Sequence, residues 1–272
     1  MKYSVATLAK AKNLRIIDDA LFRLIAARKE VCQEILRTLL DDDLLVVDDV
    51  TVQMSEISLH REIVLDALCV LGDGTLCNVE MQKTDGNDDI KRVRFHASVI
   101  TANHTPKGTS FENIPNVKVL YITEYDALGN GQAITHISRC QKKGKQYLPV
   151  NDGEDIIFAN TASKQRNKHT HLLRLFLRSD SFYDEMYPEL SKAMKHYKDT
   201  EGGKKEMCKS IEEYAEERAI DYVIIALKAY EKKIDEIIDY VCSQFPNTTR
   251  DYVTERFYAL SDANVSGAVT TK

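Results

Sequence analysis

The period of the apolar positions changes several times along the chain, and each change predicts an element. Leu21, Leu24, Ile25, Ile35, Leu36 and Leu39 recur at helical spacing, so a helix opening at Asp18 or Asp19 is expected to run up to the acidic stretch Asp41-Asp42-Asp43. Leu44 to Val52 reads as a strand or strand pair interrupted by Asp48-Asp49, with a loop or short strand through Ser58. Two apolar runs, Arg61 to Leu71 and Thr75 to Gln82, flank Gly72-Asp73-Gly74 and predict a hairpin. A polar loop, Thr84-Asp85-Gly86-Asn87, leads into a helix from about Asp88 to Asn103. Val117 to Tyr125 and Gln132 to Cys140 read as strands joined through the turn signal Gly129-Asn130-Gly131, and Ile156 to Ala159 as a short strand.

From Leu172 onward the pattern is helical and charged. Glu206 to Lys233 places Ile211, Tyr214, Ala215, Tyr222, Ile225 and Ala229 near one stripe. Ile234 to Phe245 continues it until Pro246, and Gly202-Gly203 predicts a break between helices. Ser261 to Lys272 reads as a disordered end.

The predicted hairpin contains two acids in otherwise apolar strands, where Asp is poorly tolerated. A three-residue loop closed by Gly74 in the left-handed region pairs Leu71 with Thr75 and sets Asp66 opposite Glu80 on one face. Gln82 then lies beside Glu80, while Cys77, Val79 and Met81 point into a core. A two-residue Asp73-Gly74 loop would instead pair Asp66 with Met81 and send Glu80 to the other side. In the first register the like charges stand about 4.5–5.5 Å apart at Cβ, which destabilises a sheet unless something offsets it. A hard divalent cation, Mg²⁺ or Mn²⁺, would do so through the carboxylate oxygens; an ion cluster with Arg61 or Arg92 would do so without metal.

Composition narrows the setting. The 272 residues are 43% hydrophobic, enough for one substantial core and an appended helical piece. No apolar run approaches membrane-spanning length and Met1 to Lys12 lacks a secretory core, so a cytoplasmic protein without a membrane partner is expected. Six cysteines without C-x-x-C spacing read as reduced thiols. The net charge of -5 leaves any polyanion binding to local patches: Lys83 with Lys91, Arg92 and Arg94, the loop Lys142-Lys143-Gly144-Lys145, and the basic stretch from Lys164 to Arg178. No P-loop, G-x-S-x-G or G-x-G-x-x-G motif occurs.

Asp66 and Glu80-Met81-Gln82 resemble the PD-(D/E)XK nuclease superfamily, specifically its nuclease-family transposases, also called Rpn or recombination-promoting nucleases. Asp19-Ala20-Leu21-Phe22-Arg23 is similar to the family's Asp-x-x-Phe-Lys helix start, and Lys91-Arg92 with Phe95-His96 to the helix after its Glu-x-Gln strand. Lys107-Gly108 before Val117 to Ile122 resembles its Lys-Gly loop, and Phe158-Ala159-Asn160-Thr161 its Leu-Asn-Thr strand end. The similarity spans roughly residues 12 to 180.

The resemblance implies an α/β, restriction-endonuclease-like core, a mixed central sheet flanked by helices, in residues 1–180. A helical C-terminal extension follows in 181–260 and a disordered tail in 261–272. It also implies metal-dependent hydrolysis of DNA phosphodiesters, with Asp66, Glu80 and the Met81 backbone carbonyl as metal ligands. Gln82 stands where the superfamily has a lysine, Arg92 would contact phosphate with Lys91 and Lys83 nearby, and Asp19 is a further candidate acid. Asp18 and Asp19 also read as helix N-caps. A homodimer would be needed for symmetric double-strand cutting. An inactive relative that binds DNA or protein, and an assembly protein whose tail self-associates, are the competing readings.

Overall fold

The computed structural model describes residues 3–57, 62–87 and 89–260. Helices α1 (Val5–Asn13), α2 (Asp19–Ala26) and α3 (Lys29–Leu39) precede strands β1 (Val47–Ile57), β2 (Glu62–Leu71) and β3 (Leu76–Gln82). Then come α4 (Asp89–Asn103), β4 (Val117–Thr123), β5 (Ile134–Ile137), β6 (Cys140–Lys143), β7 (Gln146–Pro149) and β8 (Glu154–Asn160). The chain ends in α5 (Lys168–Leu175), α6 (Pro188–Asp199), α7 (Glu201–Ala229), α8 (Ile234–Gln244) and α9 (Arg250–Ala259). The readings that fall on Ser58, Arg61, Asp88 and Ser261–Lys272 lie outside the described residues.

A six-stranded mixed sheet in the order β1-β2-β3-β4-β8-β5 is covered on both faces, so the expected α/β architecture with a helical C-terminal part is the one observed. One face carries Ala67, Cys69, Cys77, Val79, Met81, Leu120 and Ile122 against α2, α3, α6 and the first half of α7. The other carries Leu65, Leu68, Leu76, Val119, Tyr121 and Phe158 against Val93, Ala97 and Ile100 of α4. β3 and β4 are buried along almost their whole length, as central parallel strands between two helical layers must be.

Several expected elements take a different form. The single helix expected over residues 19–39 is two, because Arg28 adopts an extended backbone and starts α3. The bend lets Leu21, Phe22 and Ile25 reach the same core as Val31, Ile35 and Leu36. β4 and β5 are not a hairpin: β8 lies between them, parallel to β4 and antiparallel to β5. The connection through Gly129-Asn130-Gly131 therefore bridges over a strand that arrives later in the chain. The lysine-rich loop is a separate exposed hairpin of β6 and β7.

Gly202-Gly203 does not break the helices. The chain turns at Thr200, whose hydroxyl caps α7, and both glycines lie in the first turn of α7. A Cβ on Gly203 would stand 2.2 Å from the His196 carbonyl oxygen, so this glycine permits close contact of α6 with α7. Along α7 the buried stripe is Met207, Ile211, Ile220 and Ile224, whereas Tyr222 is 63% exposed. The first half of this helix completes the main core. The second half forms a separate cluster with Ile237, Ile238, Val241 and Val253 of α8 and α9.

Candidate functional site

The β2–β3 hairpin adopts the first of the two registers. Gly74 has φ +82°, Leu71 N–H donates to the Thr75 carbonyl at 2.9 Å, and Cys69 pairs with Cys77 and Ala67 with Val79. The ladder ends there. Beyond it the Met81 N–H donates to Asp66 Oδ2 at 2.8 Å, so a carboxylate takes the place of a strand carbonyl where β2 and β3 part.

Strand alternation fails at the same point on two strands at once. Asp66 stands across from Gln53, between the pairs Val52↔Ala67 and Met54↔Leu65. Gln53 has φ +54°, a left-handed conformation inside a strand. Met54 and Leu65 pack on the α4 side, whereas Val52 and Ala67 pack on the α2 side, so each strand passes one residue without changing face. Asp66 consequently leaves the sheet on the same side as Ala67, into a cleft of about 270 Å³ that it lines with Asp19, Arg23, Gln53, Tyr214 and Arg218.

Glu80 keeps the regular alternation and faces α4. It is 7% exposed, its Oε1 accepts from the Asn78 side-chain amide at 2.8 Å, and it lies 3.4 Å from His96 Nδ1. The expectation that Asp66 and Glu80 rise from one face is therefore corrected: they approach the fork of the hairpin from opposite faces. The physical cause is the paired break at Gln53 and Asp66, which counting alternate residues does not reveal.

The acids still act on one another. Burial holds the Asp66 carboxyl well above the usual carboxylate range, and the Glu80 charge raises it further. The Met81 N–H opposes this, the Asp19 charge adds to it, and a hydrogen bond from Gln53 again opposes. Asp19 Oδ2 accepts the Tyr214 hydroxyl at 2.6 Å, tying α7 to this edge of the site. Asp18 occupies the N-cap position of α2, yet its side chain makes no cap bond and accepts instead from Arg15 N–H and Lys83 Nζ. The division of labour is thus Asp18 at the helix start and Asp19 in the cleft.

The remaining candidates are dispersed. Gln82 is half-buried and its amide donates to the Thr84 carbonyl. Lys83 is exposed and engaged by Asp18, and Lys91 is exposed on α4. Arg92 is half-buried, and its charge acts on Tyr121, next to the carboxylate of Asp89, which accepts the Tyr121 and Tyr125 hydroxyls at 2.8 Å each. Burial first and Asp89 second push both phenols up. The fork also gathers Gln53, Asn78, His96 and Tyr214, none of which the sequence pattern assigned to the site. His96 lies within the quoted Phe95-His96 pair and Tyr214 on the α7 stripe, but Gln53 carries no signal of its own.

Among the described residues, no group of three His, Cys, Asp or Glu side chains is assembled around a metal position. The donor chemistry nevertheless fits a hard divalent cation. The side chains Asp66, Glu80 and Asp19 offer only carboxylate oxygen, and the repulsion among neighbouring carboxylates that raises the Asp66 proton affinity is of the kind a cation relieves.

A mixed sheet sandwiched by helices, with a central hairpin that parts around carboxylates, defines the PD-(D/E)XK nuclease fold. The chain belongs to the PD-(D/E)XK nuclease family transposases, whose family model matches residues 18–216. That span starts at α2 and ends within α7, and so includes Asp19, Asp66, Glu80 and Tyr214. No curated protein and no solved structure matches the chain. Nucleases of this kind generally depend on a divalent metal, and the family's substrate is DNA. Among the described residues no helix is long and apolar enough to cross a membrane.

Proposed function

We propose that this chain is a Mg²⁺- or Mn²⁺-dependent DNA endonuclease of the Rpn branch. The observation that carries the proposal is the fork itself, where a half-buried Asp66 lines a cleft with Asp19 and accepts the N–H of Met81, the residue after Glu80. Asp66, Glu80 and the Met81 carbonyl would hold the ion, with Asp19 as an additional acid. The bound ion would supply a water of lowered pKa and neutralise charge on the scissile phosphate.

The chain's own groups would do the rest. Gln82, released from Thr84, would offer its amide to the attacking water as donor and acceptor. Arg92, Lys91 and Lys83 would supply positive charge for DNA phosphates in a chain whose net charge is -5. All six cysteines are free, which fits a reducing, cytoplasmic setting. Symmetric double-strand cutting would call for a homodimer.

The amide at position 82 favours one other reading, a catalytically weak or inactive relative that binds DNA or protein. Its donors carry no formal charge, unlike the lysine of the superfamily pattern, and one of them is already taken by Thr84. Nicking of supercoiled plasmid separates the two. The endonuclease reading expects Mg²⁺- or Mn²⁺-dependent conversion to open circles by the wild type and loss of it in Asp66→Ala and Glu80→Ala. Salt-sensitive DNA binding with no cleavage by the wild type would establish the weak relative instead.

A further inference from the structure

We propose that Gln53 and Arg23 are positioning residues that set the Asp66 carboxylate for its ligand, a role that rests on Asp66 being a metal ligand as proposed above. The starting point is the backbone of Gln53. A non-glycine residue inside a strand at φ +54° is held there against its own preference, and such conformations persist where the surroundings over-determine them. Here the consequence is specific. The conformation belongs to the break that turns Asp66 towards α2, and it brings the Gln53 side chain to the cleft floor across from that acid.

The orientation of the Gln53 amide is fixed from the other side. Arg23 Nη2 donates to Gln53 Oε1 at 3.0 Å, and a guanidinium can only donate. With its oxygen committed to Arg23, the amide is left with its NH₂ group for the cleft that Gln53 lines with Asp66, while the Met81 N–H donates to Asp66 Oδ2 from the other strand. A donor from β3 and an amide held opposite on β1 would together set the carboxylate's rotation and leave its other lone pairs for a ligand.

Arg23 is itself braced. Its Nη1 and Nη2 donate to the two carboxylate oxygens of Glu217 at 3.3 and 3.1 Å, and its guanidinium lies 5.1 Å from the centre of the Tyr214 ring. Tyr214 in turn donates to Asp19. One turn of α7 thus reaches two acids: Asp66 through Glu217, Arg23 and Gln53, and Asp19 directly. Arg23 occupies the lysine position of the Asp-x-x-Phe-Lys pattern, to which the sequence reading assigned no separate role.

The test is Mn²⁺ affinity by calorimetry, read beside thermal stability, on wild type, Asp66→Ala, Gln53→Gly, Arg23→Lys, Arg23→Met and the double variant Arg23→Met/Gln53→Gly. Glycine accepts φ +54° without strain, so Gln53→Gly should keep or raise Tm while weakening Mn²⁺ binding about tenfold. A purely structural role would move stability and leave affinity unchanged. Arg23→Lys retains a donor for Gln53 Oε1 and should bind Mn²⁺ better than Arg23→Met. If Arg23 acts through Gln53, the double variant should be no weaker than Gln53→Gly alone. Wild-type affinity in Gln53→Gly would overturn the proposal while wild type and Asp66→Ala still uphold the metal site. No Mn²⁺ binding by the wild type would overturn both.

Discussion

Asp66 stands at the fork of β2 and β3 beside the acids Glu80 and Asp19. Its proton affinity is raised by burial and by neighbouring acids, so the folded protein holds the proton to higher pH than the unfolded chain. Within that window the folded state binds more protons, and stability falls as pH rises through the raised pKa. In chelator, the Tm of wild type should therefore drop relative to that of Asp66→Asn as pH is raised from about 4 towards neutrality, starting from the ordinary Asp range. Parallel curves would show that Asp66 ionises in the fold as it does in the unfolded chain. The paired acids were legible in the sequence because charge in an apolar strand is conspicuous, and Gly74 made their register legible too. Their faces were not. The break depends on Gln53, a polar residue with nothing in its side chain to announce a left-handed backbone.

Among the elements, α7 shows how one residue type can signal two opposite things. Two adjacent glycines read as a break, yet Gly203 is where the α6 backbone comes closest, while Gly202 faces open space. Gly203→Ala should cost about 1–3 kcal/mol in urea unfolding, because the obstructing atoms are backbone and cannot swing away. Gly202→Ala should be stabilising by up to about 1 kcal/mol through helix propensity alone. Equal effects at the two positions would contradict the packing described. The hairpin expected for β4 and β5 failed for a related reason. Local turn chemistry was read correctly as a chain reversal, but the insertion of β8 between the two strands is a long-range choice that a turn does not encode.

The whole molecule is a sandwich whose tail is partly structural. Leu190, Met194, Met207 and Ile211 fill the same core as α2 and α3, whereas Ile220 and Ile224 of α7 belong to the separate cluster with α8 and α9. Helical periodicity placed Ile211 on an apolar stripe, but did not show what that stripe packs against. At this scale charge also matters. A chain of net charge -5 can hold DNA only through local basic groups, so affinity should fall at least about tenfold between 50 and 200 mM salt, measured by fluorescence anisotropy in Ca²⁺. Affinity indifferent to salt would argue against phosphate contacts.

Acids at the fork of β2 and β3, under the proposal above, hold one divalent ion between them. Anomalous diffraction from a crystal soaked in Mn²⁺ tests it most directly. One strong peak should stand between Asp66 and Glu80, within coordination distance of the Met81 carbonyl, and should be lost in Glu80→Ala. A wild-type map without a peak there, or with manganese only at surface acids, would contradict it.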